Sequence, residues 1–321
     1  MDLTTHGAAL ASLVLAPCLL VATGERGTTA QFRSEIQLVP LTVTVTNAAG
    51  GYVSGLTAPD FTVLDEGRPQ KVSYFAASDS PVDVTLLLDV SGSMAGNLAL
   101  AQEAASGLAA RLRAGDRIAV AGVSSNMVGF MPLTTDKTQI GESIRSLRAG
   151  GSTALYDGMY VLLRELERHR QSGPGIRRQA MIALSDGVDT ASRVDFDFVR
   201  EYLVRGDVVL YVVLLQSGEM LPAHLLTRSE TEAPARMMEL VQATGGRLFK
   251  PKTPADLPAI YAAVADEFSD QYLLAYTPPP DTRDGEFRRV SVRVRHPDVI
   301  QARTRAGYFA LGSRRAPADG R

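Results

Sequence analysis

The feature that most constrains the fold is the run Val82-Asp-Val-Thr-Leu-Leu-Leu-Asp-Val-Ser-Gly-Ser-Met94. Its first half is apolar and β-branched without polar alternation, the pattern of a strand covered on both faces. Such a strand belongs inside a sheet packed by helices on each side. The run then breaks into Asp89-x-Ser91-x-Ser93, a carboxylate followed by two hydroxyls. Gly92 between them lets the backbone turn tightly and approach a ligand closely. An Ala- and Leu-rich helical stretch follows from Asn97. Anionic and hydroxyl oxygens at the carboxyl end of a central strand suit a hard cation, which prefers oxygen ligands.

Strands and helices alternate around this run. Arg117 to Val123, Ala180 to Leu184, Val208 to Leu215 and Arg247 to Phe249 read as strands. Met127 to Leu133 reads as an edge strand, because Pro132 cannot donate to a ladder. Asn97 to Leu112, Lys137 to Leu147, Tyr156 to Arg168, Phe196 to Leu203, Ala235 to Ala243 and Asp256 to Phe268 read as helices, with Gln216 to Glu232 a polar, irregular loop. Repeated β-α units predict an α/β fold, a doubly wound and mostly parallel sheet with helices on both faces.

The flanks have a different rhythm. Leu41 to Thr46 alternates apolar and hydroxyl residues, and two period-two runs flank Asp65-Glu-Gly-Arg68 as in a hairpin. After Gln271 the alternation returns in Tyr272 to Tyr276, Arg289 to Arg295 and Gln301 to Phe309. Neither β half buries a core of its own. The economical arrangement joins residues 36–78 and 271–310 into one smaller β-sandwich, with the α/β domain (82–269) inserted; two separate β appendages are the alternative.

At 321 residues, with 45% hydrophobic and 21% charged, the chain has ordinary globular composition, and its net charge of -2 gives nucleic acid or anionic lipid no general attraction. Ala8 to Ala22 is apolar, shorter than the roughly 20 residues of a membrane span, and small-x-small sites follow at Ala22 and Ala30. Residues 1–30 therefore read as a secretory signal or leader, although no Lys or Arg precedes the apolar stretch. An unstructured N-terminus is the other reading. The expected location is extracytoplasmic, secreted or periplasmic. The only cysteine, Cys18, offers a lipoprotein acylation site as an alternative, with Pro17 placed against it. A chain cleaved after it has no disulfide and no Cys-ligated metal. Residues 312–321 read as a disordered tail.

In open sheets ligands bind at the carboxyl ends of the strands. Three loops are expected there: Asp89-Val-Ser-Gly-Ser93, Gly150-Gly-Ser-Thr153-Ala-Leu-Tyr-Asp157 and Leu184-Ser-Asp186-Gly-Val-Asp189. Together they offer Asp89, Ser91, Ser93, Thr153 and Asp186 as metal ligands. Each has a plainer role open to it: a Ser or Thr in such a loop commonly caps a helix and an Asp caps a turn. Asp157 and Asp189 suit holding a loop.

The three loops in this order resemble the metal-ion-dependent adhesion site of von Willebrand factor A domains, whose pattern is Asp-x-Ser-x-Ser, a later Thr and a later Asp. The resemblance covers Val82 to Phe268, with Ser185 where a Thr is common. Phe61-Thr-Val-Leu-Asp-Glu-Gly67 and Gln70-Lys-Val72 resemble the segment that precedes the domain in a bacterial, acidobacterial-type subgroup. The resemblance implies that the hydroxyls of Ser91, Ser93 and Thr153 coordinate the ion while Asp89 and Asp186 act largely through water. Mg²⁺ is the expected ion, with Mn²⁺ or Ca²⁺ as alternatives. Neutral hydroxyls leave such an ion seeking an anionic ligand, so the implied partner is a protein offering an Asp or Glu carboxylate. In integrin-type relatives the last helix shifts on binding; here it would pull on the sandwich.

The implied function is an extracytoplasmic adhesion or interaction module, not an enzyme. A structural or assembly component of the cell envelope with a stabilising metal is the alternative. A metal-dependent phosphate-ester hydrolase fits less well: Ser91 stands where a second acid would be needed, and no lysine lies in the loops.

Overall fold

The structure is a computed structural model that describes residues 38–77, 80–172, 176–215, 227–279 and 285–310. The leader, Cys18, the tail and most of the expected polar loop (216–226) lie outside the described residues. The N-terminal flank supplies β1 (Val39–Thr46), β2 (Phe61–Asp65), β3 (Arg68–Gln70) and β4 (Val72–Ala76). β2 and β3 form the expected hairpin, turning through Glu66 and Gly67 at φ 47° and 76°. Positive φ at both central residues matches the right-handed twist of the flanking strands.

The central region runs β5 (Val82–Asp89), α1 (Leu98–Arg111), β6 (Arg117–Val123), β7 (Met127–Thr134), α2 (Lys137–Ser146), α3 (Leu155–Ser172), β8 (Arg178–Ser185), α4 (Phe196–Gly206), β9 (Val208–Leu214), α5 (Arg228–Thr244), β10 (Arg247–Phe249) and α6 (Leu257–Asp270). The C-terminal flank adds β11 (Tyr272–Tyr276), β12 (Phe287–Val294), β13 (Gln301–Arg303) and β14 (Gly307–Phe309).

β5 is buried along its whole length. It lies inside a six-stranded sheet of order β10-β9-β8-β5-β6-β7, parallel except for β7 at the edge. Val84, Leu86 and Leu88 pack into one core with α1, α2 and α6; Leu87 faces a second core with α3, α4 and α5. Each fully buried aliphatic side chain contributes about 1.5–3 kcal/mol. The doubly wound expectation holds.

The flanks form two four-stranded sheets, β13-β1-β11-β4 and β14-β12-β2-β3, each mixing strands from both ends of the chain. Leu41 and Val43, the apolar positions of the alternating run, join Phe61, Leu274 and Val292 in one shared core. The chain changes sheet at Lys71, between β3 and β4, and again between β13 and β14, so the single strand expected over Gln301 to Phe309 is two. The intervening Ala306 bonds the end of α5, its N–H reaching Ala243 O at 3.0 Å. α5 begins seven residues before the expected Ala235, because Thr227 and Glu230 form a capping box and Pro234 is accommodated inside the helix.

Sandwich and α/β domain meet in a buried polar network. Glu267 on α6 is 1% exposed. Its Oε1 accepts from Thr44 Oγ1 (2.9 Å) and Tyr211 Oη (2.7 Å), and pairs with Arg303; its Oε2 accepts from Tyr52 Oη (3.2 Å). Arg178 holds both chain crossings, donating to Ser80 O (2.5 Å) on the way in and Phe268 O (2.6 Å) on the way out. Gln271 links the two groups through Arg178 Nη1 (3.3 Å) and Tyr211 Oη (2.8 Å). Burial pushes the Arg178 guanidinium down to about 10.

Removing one partner of a buried pair strands the other. We therefore expect Glu267→Ala to cost about 3 kcal/mol in urea denaturation followed by circular dichroism, the chain having no tryptophan. A loss below about 1 kcal/mol would show that the network does not hold the two parts together.

Candidate metal centre

β5 delivers Asp89 to the carboxyl edge of the sheet, and backbone bonds fasten the neighbouring loops to it. Val90 N–H donates to Val123 O (2.8 Å), Gly150 N–H to Val90 O (2.7 Å) and Gly92 N–H to Gly151 O (3.0 Å). Gly92 itself has an ordinary φ, and an added Cβ would meet only Gly151 O at 3.6 Å. The glycine requirement lies in the facing loop: Gly151 sits at φ +85°, and a Cβ there would come within 2.7 Å of Ser125 Oγ.

Asp89 is fully buried. Its Oδ1 accepts from Ser91 N–H (2.8 Å) and its Oδ2 from Ser185 Oγ (2.6 Å). Burial raises its carboxyl above the ordinary aspartate range, against the lowering effect of the bonds from Ser185 and Ser91. Ser93 Oγ donates to Asp186 Oδ2 (2.9 Å) and lies 3.0 Å from Ser91 Oγ. Either hydroxyl of that pair can supply the hydrogen between them. Neither hydroxyl caps a helix: the Ser91 side chain makes no cap bond to the short 3-10 turn Gly92–Met94, and the N-cap of α1 is Asn97.

Four of the five predicted residues thus share one continuous set of contacts. Thr153 bonds instead to the loop that follows Asp186: its N–H donates to Thr190 Oγ1 (3.0 Å), and its carbonyl accepts from Thr190 N–H (2.9 Å) and Ala191 N–H (3.0 Å). Asp157 and Asp189 hold the loop that follows Asp186. Asp157 Oδ1 accepts from Arg193 and Val194 N–H, both 3.0 Å, and Asp189 Oδ1 from Ala191 (3.2 Å) and Ser192 (3.0 Å).

Two further residues take part, Ser185, noted in the sequence only as standing where a Thr is common, and Thr190. Ser185 orients Asp89 and also accepts from Gly187 N–H (2.9 Å); its place at the end of β8, level with Asp89 across the sheet, was the available signal. Thr190 carries no sequence signal, since its role depends on a loop crossing to Thr153.

The donor set is entirely oxygen: three hydroxyls and two carboxylates. Among the described residues no three His, Cys, Asp or Glu side chains gather as a metal cluster, so an ion here would draw on hydroxyls. The fit is favourable. Ser93 donates its hydrogen to Asp186, which leaves its oxygen as an acceptor, and the carboxylates offer the negative charge that a divalent ion needs.

The fold resembles solved structures at low identity. A von Willebrand factor type A protein from Catenulispora acidiphila is 13% identical, with a TM-score of 0.49 over 88% of this chain and 76% of that one. The vWF domain of the type V pili tip protein Mfa5 from Porphyromonas gingivalis is 13% identical, with a TM-score of 0.47 over 58% of this chain and 94% of that one. The pilus adhesin SpaC from Lactobacillus rhamnosus GG, in an open conformation, is 11% identical, with a TM-score of 0.48 over 83% of this chain and 43% of that one. No curated protein matches the chain in sequence. No helix among the described residues is long and apolar enough to cross a membrane. Residues 84–188, which include Asp89, Ser91, Ser93, Thr153 and Asp186, match the family model of the von Willebrand factor type A domain.

Proposed function

We propose that this chain is an extracytoplasmic protein-binding module whose contact with its partner depends on a divalent cation held by Asp89, Ser91, Ser93, Thr153 and Asp186. The observation that carries the reading is the hydrogen-bonded set Asp89–Ser91–Ser93–Asp186, built from loops on a fully buried strand and its neighbour. Bound there, Mg²⁺ or Mn²⁺ would supply a Lewis-acidic position able to take a carboxylate from an Asp or Glu of another protein. The chain's own residues do the rest. Ser185 fixes the Asp89 carboxylate, Asp186 orders the Ser93 hydroxyl, and Thr190 holds the Thr153 loop against the site.

Ion binding to the folded state alone stabilises it by mass action. Mg²⁺ at one hundred times its Kd should add about 2.7 kcal/mol in thermal or urea denaturation. Asp89→Ala and Thr153→Ala should abolish that increment; an equal increment in both variants contradicts the assignment.

Asp89→Asn separates ion binding from folding. It removes a buried charge while an amide still meets Ser185 and Ser91, so in EDTA this variant should lose no more than about 1 kcal/mol. It should show no response to Mg²⁺. A collapse of stability in EDTA would instead assign Asp89 a purely structural role.

The functional test is capture of envelope proteins by the immobilised chain in Mg²⁺ and in EDTA. Partners retained in Mg²⁺ and released by EDTA or by Thr153→Ala support the proposal. Identical partners in every condition contradict it, and metal-dependent stability without metal-dependent capture would favour a structural metal.

A further inference from the structure

We infer that the cleft between residues 187–196 and the start of α5 is a second subsite of the same contact surface, and that it takes an extended partner peptide carrying a second carboxylate. The inference rests on the metal-bridged reading of the Asp89 site.

The cleft encloses about 610 Å³, within the range of built binding sites, about 300–1,000 Å³. It shares a wall with the metal centre. Gly187 directly follows Asp186, and Thr190 and Ala191, both lining the cleft, bond the backbone of Thr153. A peptide that places one side chain at Asp89–Ser93 and continues past Thr153 therefore enters it. The floor is aromatic: the rings of Tyr156 and Phe196 meet edge-on at 6.0 Å, and the Arg236 guanidinium lies 5.5 Å above Phe196. Hydroxyls of Ser192 and Ser229 add polar groups suited to a peptide backbone.

Charge selects the class of side chain. The acids along the cleft are already engaged: Asp189 by the amides of Ala191 and Ser192, Asp195 by Phe198 N–H (2.8 Å), and Glu232 by Arg228 (2.6 Å) and Arg236 (2.8 Å). Arg193 differs. Asp157 fixes its backbone N–H, its side chain is exposed, and no described acid pairs with it. A guanidinium presented from an anchored backbone beside an acid-binding metal site matches a second carboxylate, which its planar fork can bind through two hydrogen bonds.

The test uses the whole chain and a displayed library of random short peptides, selected in Mg²⁺ and eluted with EDTA. Eluted sequences should pair one Asp or Glu with a second acid at constant spacing. A synthetic peptide of that sequence should bind Arg193→Ala about threefold more weakly and Arg193→Glu about tenfold more weakly at low salt. Mn²⁺ binding measured alone by calorimetry should be unchanged in both variants. Peptides with a single acid, equal affinity across the three proteins, or no EDTA-eluted peptides despite intact Mn²⁺ binding would each overturn the inference. If the wild-type chain binds no Mn²⁺, the metal reading itself fails, and this inference falls with it.

Discussion

The Asp89 carboxylate is the constraint on which the candidate site depends. Placing an acid at the end of a strand buried on both faces carries a desolvation penalty, visible in the raised proton affinity of the group. The structure meets that penalty locally with Ser91 N–H and Ser185 Oγ, one bond to each oxygen. Those partners in turn fix two loops, and the backbone bonds from Val90 and Gly92 fix a third. The result ties Asp89, Ser91, Ser93 and Asp186 into one hydrogen-bonded set at the sheet edge.

The second constraint is the junction. α6 passes into β11 through Gln271 alone, and β11 is an inner strand of its sheet, paired on both sides. Glu267 and Arg178 anchor the carboxyl end of α6 to β1, β9, β13 and the incoming chain. An axial shift of α6 would break these bonds together. These bonds thus hold α6 in place against the sandwich.

The main architecture was legible because its signals are local. An unbroken apolar run marks β5, alternation marks the flanking strands, and Pro132 marks β7 as an edge. The candidate loops were legible because Asp89 and Asp186 sit at or just past strand ends and Thr153 just before a helix. What escaped depends on contacts between distant residues. Thr190 and the Glu267–Arg303 pair look like ordinary polar residues until the loops and sheets meet. Gly92 attracts a role that belongs to Gly151, since only the backbone reveals which glycine carries positive φ. Gln301 to Phe309 reads as one strand because a change of sheet leaves alternation almost intact, and Pro234 hides the start of α5 by drawing attention from the capping box before it.

The most direct test of the metal centre is anomalous diffraction from crystals of the chain soaked in Mn²⁺. The account predicts a single strong peak within about 2.2 Å of the Ser91 and Ser93 hydroxyl oxygens, lost in Asp89→Ala crystals. A peak held elsewhere, or none at saturating Mn²⁺, would contradict it.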